Sequence, residues 1–323
     1  EQSYTPQESL QLVKETANTT KKIYRPIKVL TPYQIIKAFY GVKGFESMLS
    51  EMAGGLFIFD EIHCYEPRTV ALITKSAEEL SKLGAKFLFM SATLPNFLLQ
   101  ILSKAIDDAP IITLDYNNIA EKDVLAQVRH KLFLIDSEIT ECTERIRECL
   151  SGGKKVLVVC NSVKRAQEMY ASLKPYANIS YLIHGRFVTM DREKIEREIP
   201  NADLLVGTQA IEVSLNFDFD VIFTEPAPVD ALLQRLGRVN RFGKNKEPAP
   251  AYVCTKGSTA DEYIYDPSRV TNTLKLLADE GPLSNRRASE LVEKLYEEGY
   301  SKEEQKGYEQ AYRDFAYVIQ RRG

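Results

Sequence analysis

The chain has 323 residues, of which 44% are hydrophobic and 27% are charged, so it has the composition of a globular protein and the length of about two domains. Its formal net charge of -3 excludes a protein that coats nucleic acid through one broad basic face. No apolar run reaches the roughly 20 residues that span a bilayer, and the N-terminus lacks a signal-peptide profile. We therefore expect a cytoplasmic protein with no membrane partner.

Short apolar runs alternate along the chain with segments of helical periodicity, and this alternation predicts parallel α/β sheets. The predicted strands cover residues 28–31, 56–60, 86–91, 156–160, 180–184, 203–208, 221–226 and 251–255. The predicted helices cover residues 69–82, 163–173, 189–199 and 230–239. The five cysteines form no Cys-x-x-Cys pair, which favours buried or unreactive thiols over disulfides or a zinc site.

Residues 109–130 show no clear period and are interpreted as the connection between two lobes. The expected divisions are residues 1–110, residues 111–255, and a helical C-terminal region over residues 256–323. Ser301 and Glu304 have the spacing of a capping box at the start of a helix in that last region.

Two adjacent acids, Asp60 and Glu61, follow the apolar run LFIF at residues 56–59. Ligands of open α/β sheets lie at this end of the strands. A nucleotide hydrolase uses one carboxylate for Mg²⁺ and another for the attacking water. Acids in this place also cap helices, so both interpretations stay open here.

A second apolar strand, at residues 86–91, ends near two small hydroxyl residues, Ser91 and Thr93. Their hydroxyls are placed to bridge a nucleotide-facing carboxylate to a moving lobe, but local turn hydrogen bonds explain the same residues.

The segment QRLGRVNR at residues 234–241 places three arginines, Arg235, Arg238 and Arg241, at a spacing of three. This spacing predicts that they lie largely on one helical face, a concentration of like charge that needs an anionic partner. That partner is either a bound phosphate or acids of the same protein. Guanidinium groups commonly stabilise the charge on a transferring phosphoryl group.

In this order, the segments DEIH, SAT and QRLGRVNR resemble motifs II, III and VI of superfamily 2 helicases. Further segments are similar to the type I CRISPR-associated helicase: LTPYQ at residues 30–34, NSVKRA at residues 161–166, LIHGRF at residues 182–187 and GTQAIEVSLNFDFD at residues 207–220. The resemblance implies two RecA-like lobes with parallel sheets, the first lobe incomplete, and a helical C-terminal region.

The resemblance also implies a role for each matching residue. Asp60 would hold Mg²⁺ through water and Glu61 would activate water. Arg238 and Arg241 would meet the γ-phosphate of ATP, and Gln234 would position it. Hydrolysis would be coupled to lobe movement by His63, Ser91, Thr93 and Glu212. Nucleic acid would be contacted by Thr31, Asn161, Arg186 and Thr208. Thr31 and Asn161 have an equally good alternative interpretation as caps of the helices that follow them.

Three departures from the family pattern limit this expectation. The sequence contains no Gly-x-x-x-x-Gly-Lys-[Ser/Thr] phosphate loop, so we expect a fragment without ATPase activity of its own. Three histidines are too few for a fused His-Asp nuclease, which would be a separate domain or subunit. Asn216 stands where relatives usually have Asp, which leaves its role undefined.

The intact protein is therefore expected to be an ATP-dependent, single-stranded DNA translocase that moves 3′ to 5′ and unwinds a target marked by a CRISPR surveillance complex. Two alternatives remain at this point. One is a repair or RNA helicase of superfamily 2, and the other is a non-catalytic scaffold that clamps DNA.

Overall fold

The computed structural model describes residues 26–91, 94–106, 109–112, 119–212, 217–243, 247–257 and 264–321. The chain divides into two compact units. Unit 1 is formed by the described parts of Glu1–Ile111 and Gly299–Gly323, and unit 2 by those of Ile112–Glu298. The C-terminal residues from 256 onward are thus shared between the two units.

The helices and strands alternate over most of the chain. In chain order they are α1 (Pro32–Phe39), α2 (Phe45–Met52), β1 (Leu56–Asp60), α3 (Pro67–Lys82), β2 (Lys86–Met90), α4 (Asn96–Ala105), α5 (Ile119–Ala126), β3 (Val128–Ile135), α6 (Thr143–Ser151), β4 (Val156–Val159), α7 (Val163–Leu173), β5 (Ser180–Ile183), α8 (Thr189–Glu198), β6 (Leu204–Gly207), β7 (Val221–Thr224), α9 (Val229–Leu236), β8 (Ala249–Cys254), α10 (Pro267–Leu276), β9 (Gly281–Ser284), α11 (Asn285–Leu295) and α12 (Lys302–Gln320).

Unit 1 contains a parallel pair of strands, β1 and β2. The side chains of one face belong to or pack against the hydrophobic core of the unit, and they include four stacked rings: Phe57, Phe59, Phe87 and Phe89. Helix α12 joins the same core through Phe315, which is fully buried. The capping box predicted for this helix is confirmed, because Ser301 Oγ accepts from the Glu304 amide and Glu304 Oε2 from the Ser301 amide.

Unit 2 contains a seven-stranded sheet in the order β5-β6-β4-β7-β8-β3-β9. Six strands are parallel and β9 runs antiparallel to β3. Every residue of β4, β6 and β7 is buried, because hydrophobic clusters cover the sheet on both sides. The prediction of an α/β protein with parallel sheets is confirmed.

Three local predictions were wrong. Residues 28–31 form no strand, since Val29 is 98% exposed and these residues have no paired strand in the described part of the chain. Strand β3 begins at Val128, within the stretch interpreted as a connection over residues 109–130, and continues to Ile135. The helix predicted over residues 230–239 ends at Leu236, because Gly237 closes it and the chain at Val239 makes a parallel bridge with Phe219.

All five cysteines are free thiols, and three of them are buried. Among the described helices, none combines the length and the apolar character that crossing a membrane would require.

Candidate functional site

The two acids of unit 1 stand where β1 ends. Asp60 is exposed, and the Glu61 side chain is 46% exposed. Glu61 adopts a left-handed backbone conformation with φ 52°, which is uncommon for a residue with a side chain and marks a sharp turn out of the strand. Its amide donates to the Met90 carbonyl at the end of β2, 2.9 Å away, so the turn is fixed to the neighbouring strand.

A second contact joins the ends of these two strands. Ser91 Oγ lies 2.6 Å from His63 Nδ1 and 3.4 Å from Glu61 Oε2, and His63 Nδ1 lies 3.3 Å from the same carboxylate oxygen. The His63 side chain is only 5% exposed. The structure thus brings together three of the predicted site residues, whereas Thr93 lies outside the described residues.

Thr31 precedes α1 and is its N-cap residue. Its amide donates to Gln34 Oε1 at 2.9 Å, and Pro32 occupies the first helical position. The capping interpretation of Thr31 is therefore confirmed, and its contact with nucleic acid stays a prediction.

The other three residues predicted to touch nucleic acid follow neighbouring parallel strands of unit 2. Asn161 follows β4, Arg186 follows β5 and Thr208 follows β6, so all three lie at the carboxyl edge of the sheet. Arg186 is exposed, whereas Asn161 and Thr208 are 3% and 4% exposed. Asn161 does not cap α7, since Ser162 Oγ accepts from the Arg165 amide there.

A buried glutamate holds Asn161 in place. Glu225, which is fully buried, accepts the Asn161 amide at 2.6 Å and pairs with Arg165 at 2.9 Å. The Asn161 side chain donates to the Pro226 carbonyl at 2.9 Å. Burial of a charge is costly unless it is paired, so these contacts are needed to keep the Glu225 carboxylate inside the unit.

Arg235 is the largest fully buried side chain of the described residues. Its guanidinium donates to side-chain oxygens contributed by four parts of unit 2, at 2.8 to 3.0 Å: Glu212 Oε1, Thr224 Oγ1, Asn161 Oδ1 and the Tyr265 hydroxyl. It also donates to the Glu225 carbonyl at 3.1 Å. The charge is therefore fully compensated inside the protein and does not face an external anion.

Arg238 and Arg241 lie beyond the end of α9, so the prediction that the three arginines share one helical face was wrong. Arg238 is 9% exposed and donates to the carbonyls of Ile211 and Glu212, at 3.1 and 2.5 Å. Arg241 is half-buried, and its amide donates to Asp218 Oδ1 at 2.7 Å. Gln234 is half-buried on the last turn of α9.

His130 supports this turn from β3. Its Nε2 lies 2.7 Å from the Val239 carbonyl, and the residue is 8% exposed. Burial lowers the pKa of His130 below its usual value of 6.5, against the opposing effect of that hydrogen bond. The neutral ring donates from Nε2 and fixes the backbone between Arg238 and Asn240.

Sequence reasoning missed Arg235 as an internal residue and missed Glu225, Tyr265 and His130 altogether. Arg235 was counted with Arg238 and Arg241 as one basic face. Its spacing of three from the buried Leu232 was the available signal that it points into the protein. Nothing in the sequence around Tyr265 signals its role.

The donors of unit 1 fit a hydrated Mg²⁺, because exposed carboxylate oxygens are the ligands this ion prefers. The described residues contain no group of three or more His, Cys, Asp or Glu that would hold a metal by themselves. Mg²⁺ is commonly bound by one or two carboxylates together with substrate phosphates, and Asp60 with Glu61 suits that arrangement. The sequence offers no glycine-rich loop to hold those phosphates.

Comparison with known proteins points to one family. Residues 152–244 match the family model described as "CRISPR-associated nuclease/helicase Cas3, C-terminal". The chain is 28% identical over 293 residues, 85% of its length, to a putative CRISPR-associated nuclease/helicase Cas3 of Methanocaldococcus jannaschii. It is 30% identical over 229 residues, 60% of its length, to the CRISPR-associated endonuclease/helicase Cas3 of Escherichia coli.

Solved structures agree on the fold. The chain is similar to T. fusca Cas3 with AMPPNP, with a TM-score of 0.70, 20% identity, and coverage of 88% of this chain and 40% of that one. A structure titled "CRISPR RNA-guided surveillance complex, pre-nicking" is equally similar, with a TM-score of 0.70, 19% identity, and coverage of 89% and 43%.

The chain spans 39% of the length of the Methanocaldococcus relative and 26% of that of the Escherichia coli relative. The motifs, the family model, the curated relatives and the fold all agree. The chain is therefore similar in sequence to CRISPR-associated Cas3 nuclease/helicases and similar in fold to Cas3 structures.

Proposed function

We propose that this chain forms part of an ATP-dependent, single-stranded DNA translocase that unwinds target DNA in CRISPR interference. The observation that carries the proposal is the junction in unit 1 at which Ser91 links the ends of two parallel strands to Glu61 and His63. A motor needs such a junction, because hydrolysis at a carboxylate must alter the position of other elements.

In this proposal Asp60 binds Mg²⁺ through water, and Glu61 orients and deprotonates the water that attacks the γ-phosphate of ATP. The exposed carboxylates at the end of β1 are open to such a ligand. His63 and Ser91 hold Glu61 from its protein side, so a change in its charge is transmitted to the end of β2. Thr93 is proposed to share this coupling role.

In unit 2 we assign charge stabilisation to Arg238 and Arg241, with Gln234 orienting the phosphate. Arg238 binds two carbonyls in this structure, so it must exchange them for phosphate oxygens. Charge-assisted bonds to phosphate are stronger than bonds to neutral carbonyls, which makes that exchange favourable. Glu212 links the two functions, because Arg238 holds its carbonyl while Arg235 holds its carboxylate.

We propose that single-stranded DNA passes along the carboxyl edge of the unit 2 sheet. Arg186 offers an exposed cation there, and Asn161 and Thr208 lie just after the ends of β4 and β6. Thr31 would contact the same strand from unit 1. Contacts of this kind are made to phosphates and do not read sequence, as translocation requires.

The partners proposed for the whole protein are ATP, Mg²⁺, single-stranded DNA, a surveillance complex and a His-Asp nuclease domain or subunit, acting in the cytoplasm. Two observations support this assignment. Relatives are named nuclease/helicase Cas3, and one similar structure is titled as a surveillance complex. Movement from 3′ to 5′ is part of the same proposal.

For this chain alone we propose weak nucleotide binding and no ATPase activity. Backbone amides of a glycine-rich loop and its lysine normally hold the phosphates, and the sequence has no such loop. DNA-stimulated ATP hydrolysis by the isolated chain would contradict this proposal.

The decisive test is Glu61→Gln in a protein that carries both these residues and a phosphate loop. The substitution keeps the side-chain size and removes the base, so we expect ATP hydrolysis to fall by about 10²-fold or more while single-stranded DNA binding persists. Glu46→Gln, a carboxylate in the first turn of α2, is the matched control and should hydrolyse ATP normally.

The outcomes separate the candidate functions. If Glu61→Gln changes neither ATP hydrolysis nor DNA binding, Glu61 is not a catalytic base, the motor proposal fails and a DNA-clamping scaffold is the better assignment. If ATP hydrolysis is lost but RNA is the preferred strand, the protein is an RNA helicase. If DNA is unwound without any dependence on a surveillance complex, a repair helicase is the better assignment.

A further inference from the structure

Tyr265 lies outside every helicase motif, yet its hydroxyl contacts two of the residues that define them. The hydroxyl accepts from Arg235 Nη2 at 2.9 Å and lies 3.4 Å from Glu212 Oε1, to which it donates. The ring also lies under the same guanidinium, with 5.9 Å between Arg235 Cζ and the ring centroid.

The phenol remains protonated, as this arrangement requires. Burial is the main cause that raises the pKa of Tyr265, and the Glu212 carboxylate raises it further, while Arg235 lowers it. A neutral hydroxyl can accept from Arg235 and donate to Glu212 at the same time, which a phenolate cannot do.

The segment that carries Tyr265 is itself fixed. Asp266 caps α10 by accepting from the Ser268 amide at 2.8 Å and from the Arg269 amide at 3.4 Å. Within α10, the buried Thr273 accepts the Val229 amide at 3.1 Å. Val229 begins α9, so α10 and the residues before it hold α9 near both of its ends.

Arg235 and Arg238 both bind the short turn at residues 209–212, one through a side chain and the other through the backbone. Arg235 holds it through the Glu212 carboxylate, whose side chain is 12% exposed, and Arg238 holds it through the backbone carbonyls of Ile211 and Glu212. When Arg238 leaves those carbonyls, Arg235 still holds Glu212 at the end of the turn, while Gln209 Nε2 donates to the Asn161 carbonyl at 3.1 Å and Arg192 Nη2 to the Ala210 carbonyl at 3.5 Å. Of these contacts, that of Arg235 is the one next to the carbonyls that Arg238 releases.

We propose that Tyr265 is a positioning residue that locks Arg235 onto Glu212 and so keeps the 209–212 turn fixed while Arg238 changes partner. The role deepens the proposed function and rests on it, because Thr208 and the arginine-bearing turn are the parts whose placement matters. The segment after β8 thereby becomes part of the motor and not merely a C-terminal extension.

The test uses Tyr265→Phe in the full chain, which removes the hydroxyl and keeps the ring. Tyr252→Phe is the matched control: its ring stacks on Phe223 in the same unit, and no hydrogen bond of its hydroxyl is found in the described residues. Amide hydrogen exchange, thermal unfolding and binding of a fluorescent oligothymidylate are measured on both variants and on the wild type.

In Tyr265→Phe we expect the amide hydrogen-exchange rate to rise about two- to tenfold, because the loss of one hydrogen bond has an effect of this size. The rise should be confined to residues 209–212 and 236–241. Oligothymidylate affinity should fall by a similar factor, while the unfolding temperature stays near that of Tyr252→Phe. Unchanged exchange in those two segments overturns the proposal, and so does a uniform rise across unit 2, which would mean a purely structural role. If the wild type binds no oligothymidylate, the proposed function fails, and the exchange data still decide the role of Tyr265.

Discussion

Both units place polar groups at the ends of parallel strands, but the surroundings of these groups differ. In unit 2 the strand-end residues Asn161 and Thr224 belong to a buried network around Arg235, within a sheet covered on both sides. In unit 1 the acids Asp60 and Glu61 are largely open to solvent. One face of its two-stranded sheet is also uncovered, since Leu56 is 70% and Ile58 58% exposed.

The difference indicates how each unit obtains its geometry. Unit 2 fixes its residues in advance through paired charges that have no water to compete with them. Among the described residues of unit 1, the strand-end junction holds Glu61 on one side while the rest of its side chain and Asp60 stay exposed, so the final geometry of the acids depends on what binds them. An exposed apolar face of this kind is typical of a surface that another segment covers.

The largest expected effect comes from Arg235→Met, which tests whether unit 2 depends on its buried network. The change leaves the Glu212 carboxylate and the Asn161 amide oxygen without their cationic partner. Breaking a buried pair from one side costs about 3–5 kcal/mol. We expect a loss of this size in the free energy of unfolding of unit 2, measured by urea titration.

The control for that experiment is Arg186→Met, in which an exposed arginine is lost. Its unfolding free energy should change by less than about 0.5 kcal/mol. Equal stability of the two variants would show that the buried network does not hold unit 2 together.

The next effect is expected at Gly207, where β6 ends beside β5. A Cβ placed there would lie 2.7 Å from the Ile183 carbonyl oxygen and 2.6 Å from Ile211 Cδ1. Because the carbonyl belongs to the paired strand, the backbone must shift, and we expect Gly207→Ala to cost about 1–3 kcal/mol. At Gly185 a Cβ meets nothing within 4 Å, so Gly185→Ala should unfold like the wild type in the same urea titration.

How far the sequence predicts the structure also differs between the two units. The apolar runs predicted seven of the nine strands of the described residues, and helix α7 has the predicted bounds, because buried strands and crossover helices leave strong periodic signals. Strand β3 was missed because charged residues such as Arg129 and Lys131 interrupt its apolar pattern. The end of α9 was missed because a tertiary bridge between Phe219 and Val239 decides it.

The candidate site was predictable only as a set of residue types. The strand-end positions of Asp60, Asn161 and Thr208 follow from parallel topology. Which side chain faces inward does not follow, as Arg235 shows, because burial of a guanidinium depends on partners such as Tyr265 that are distant in sequence. The functional roles themselves stay predictions.

A smaller effect should appear in the pH dependence of unit 2. The pKa of His130 is lowered by burial, so the unfolded chain binds its proton at a higher pH than the folded unit does. The stability that depends on the neutral ring is complete above pH 6.5 and declines as the pH falls toward the folded-state pKa. His130→Gln should reduce this decline between pH 7.5 and 5.5, measured by urea titration at each pH. An identical decline in the variant would assign it to other groups.

The smallest effect is expected in unit 1, at the uncovered face of its sheet. Ile58 is 58% exposed, so Ile58→Lys should change the free energy of unfolding by less than about 0.5 kcal/mol. Phe59, its neighbour on the opposite face, is 8% exposed, and Phe59→Ala should cost about 3–5 kcal/mol. The lysine should also reduce self-association in sedimentation, because it places a charge on an apolar surface that otherwise favours contact between copies. Strong destabilisation by Ile58→Lys would mean that this face is covered within the chain, and the contrast between the open unit and the closed one would no longer hold.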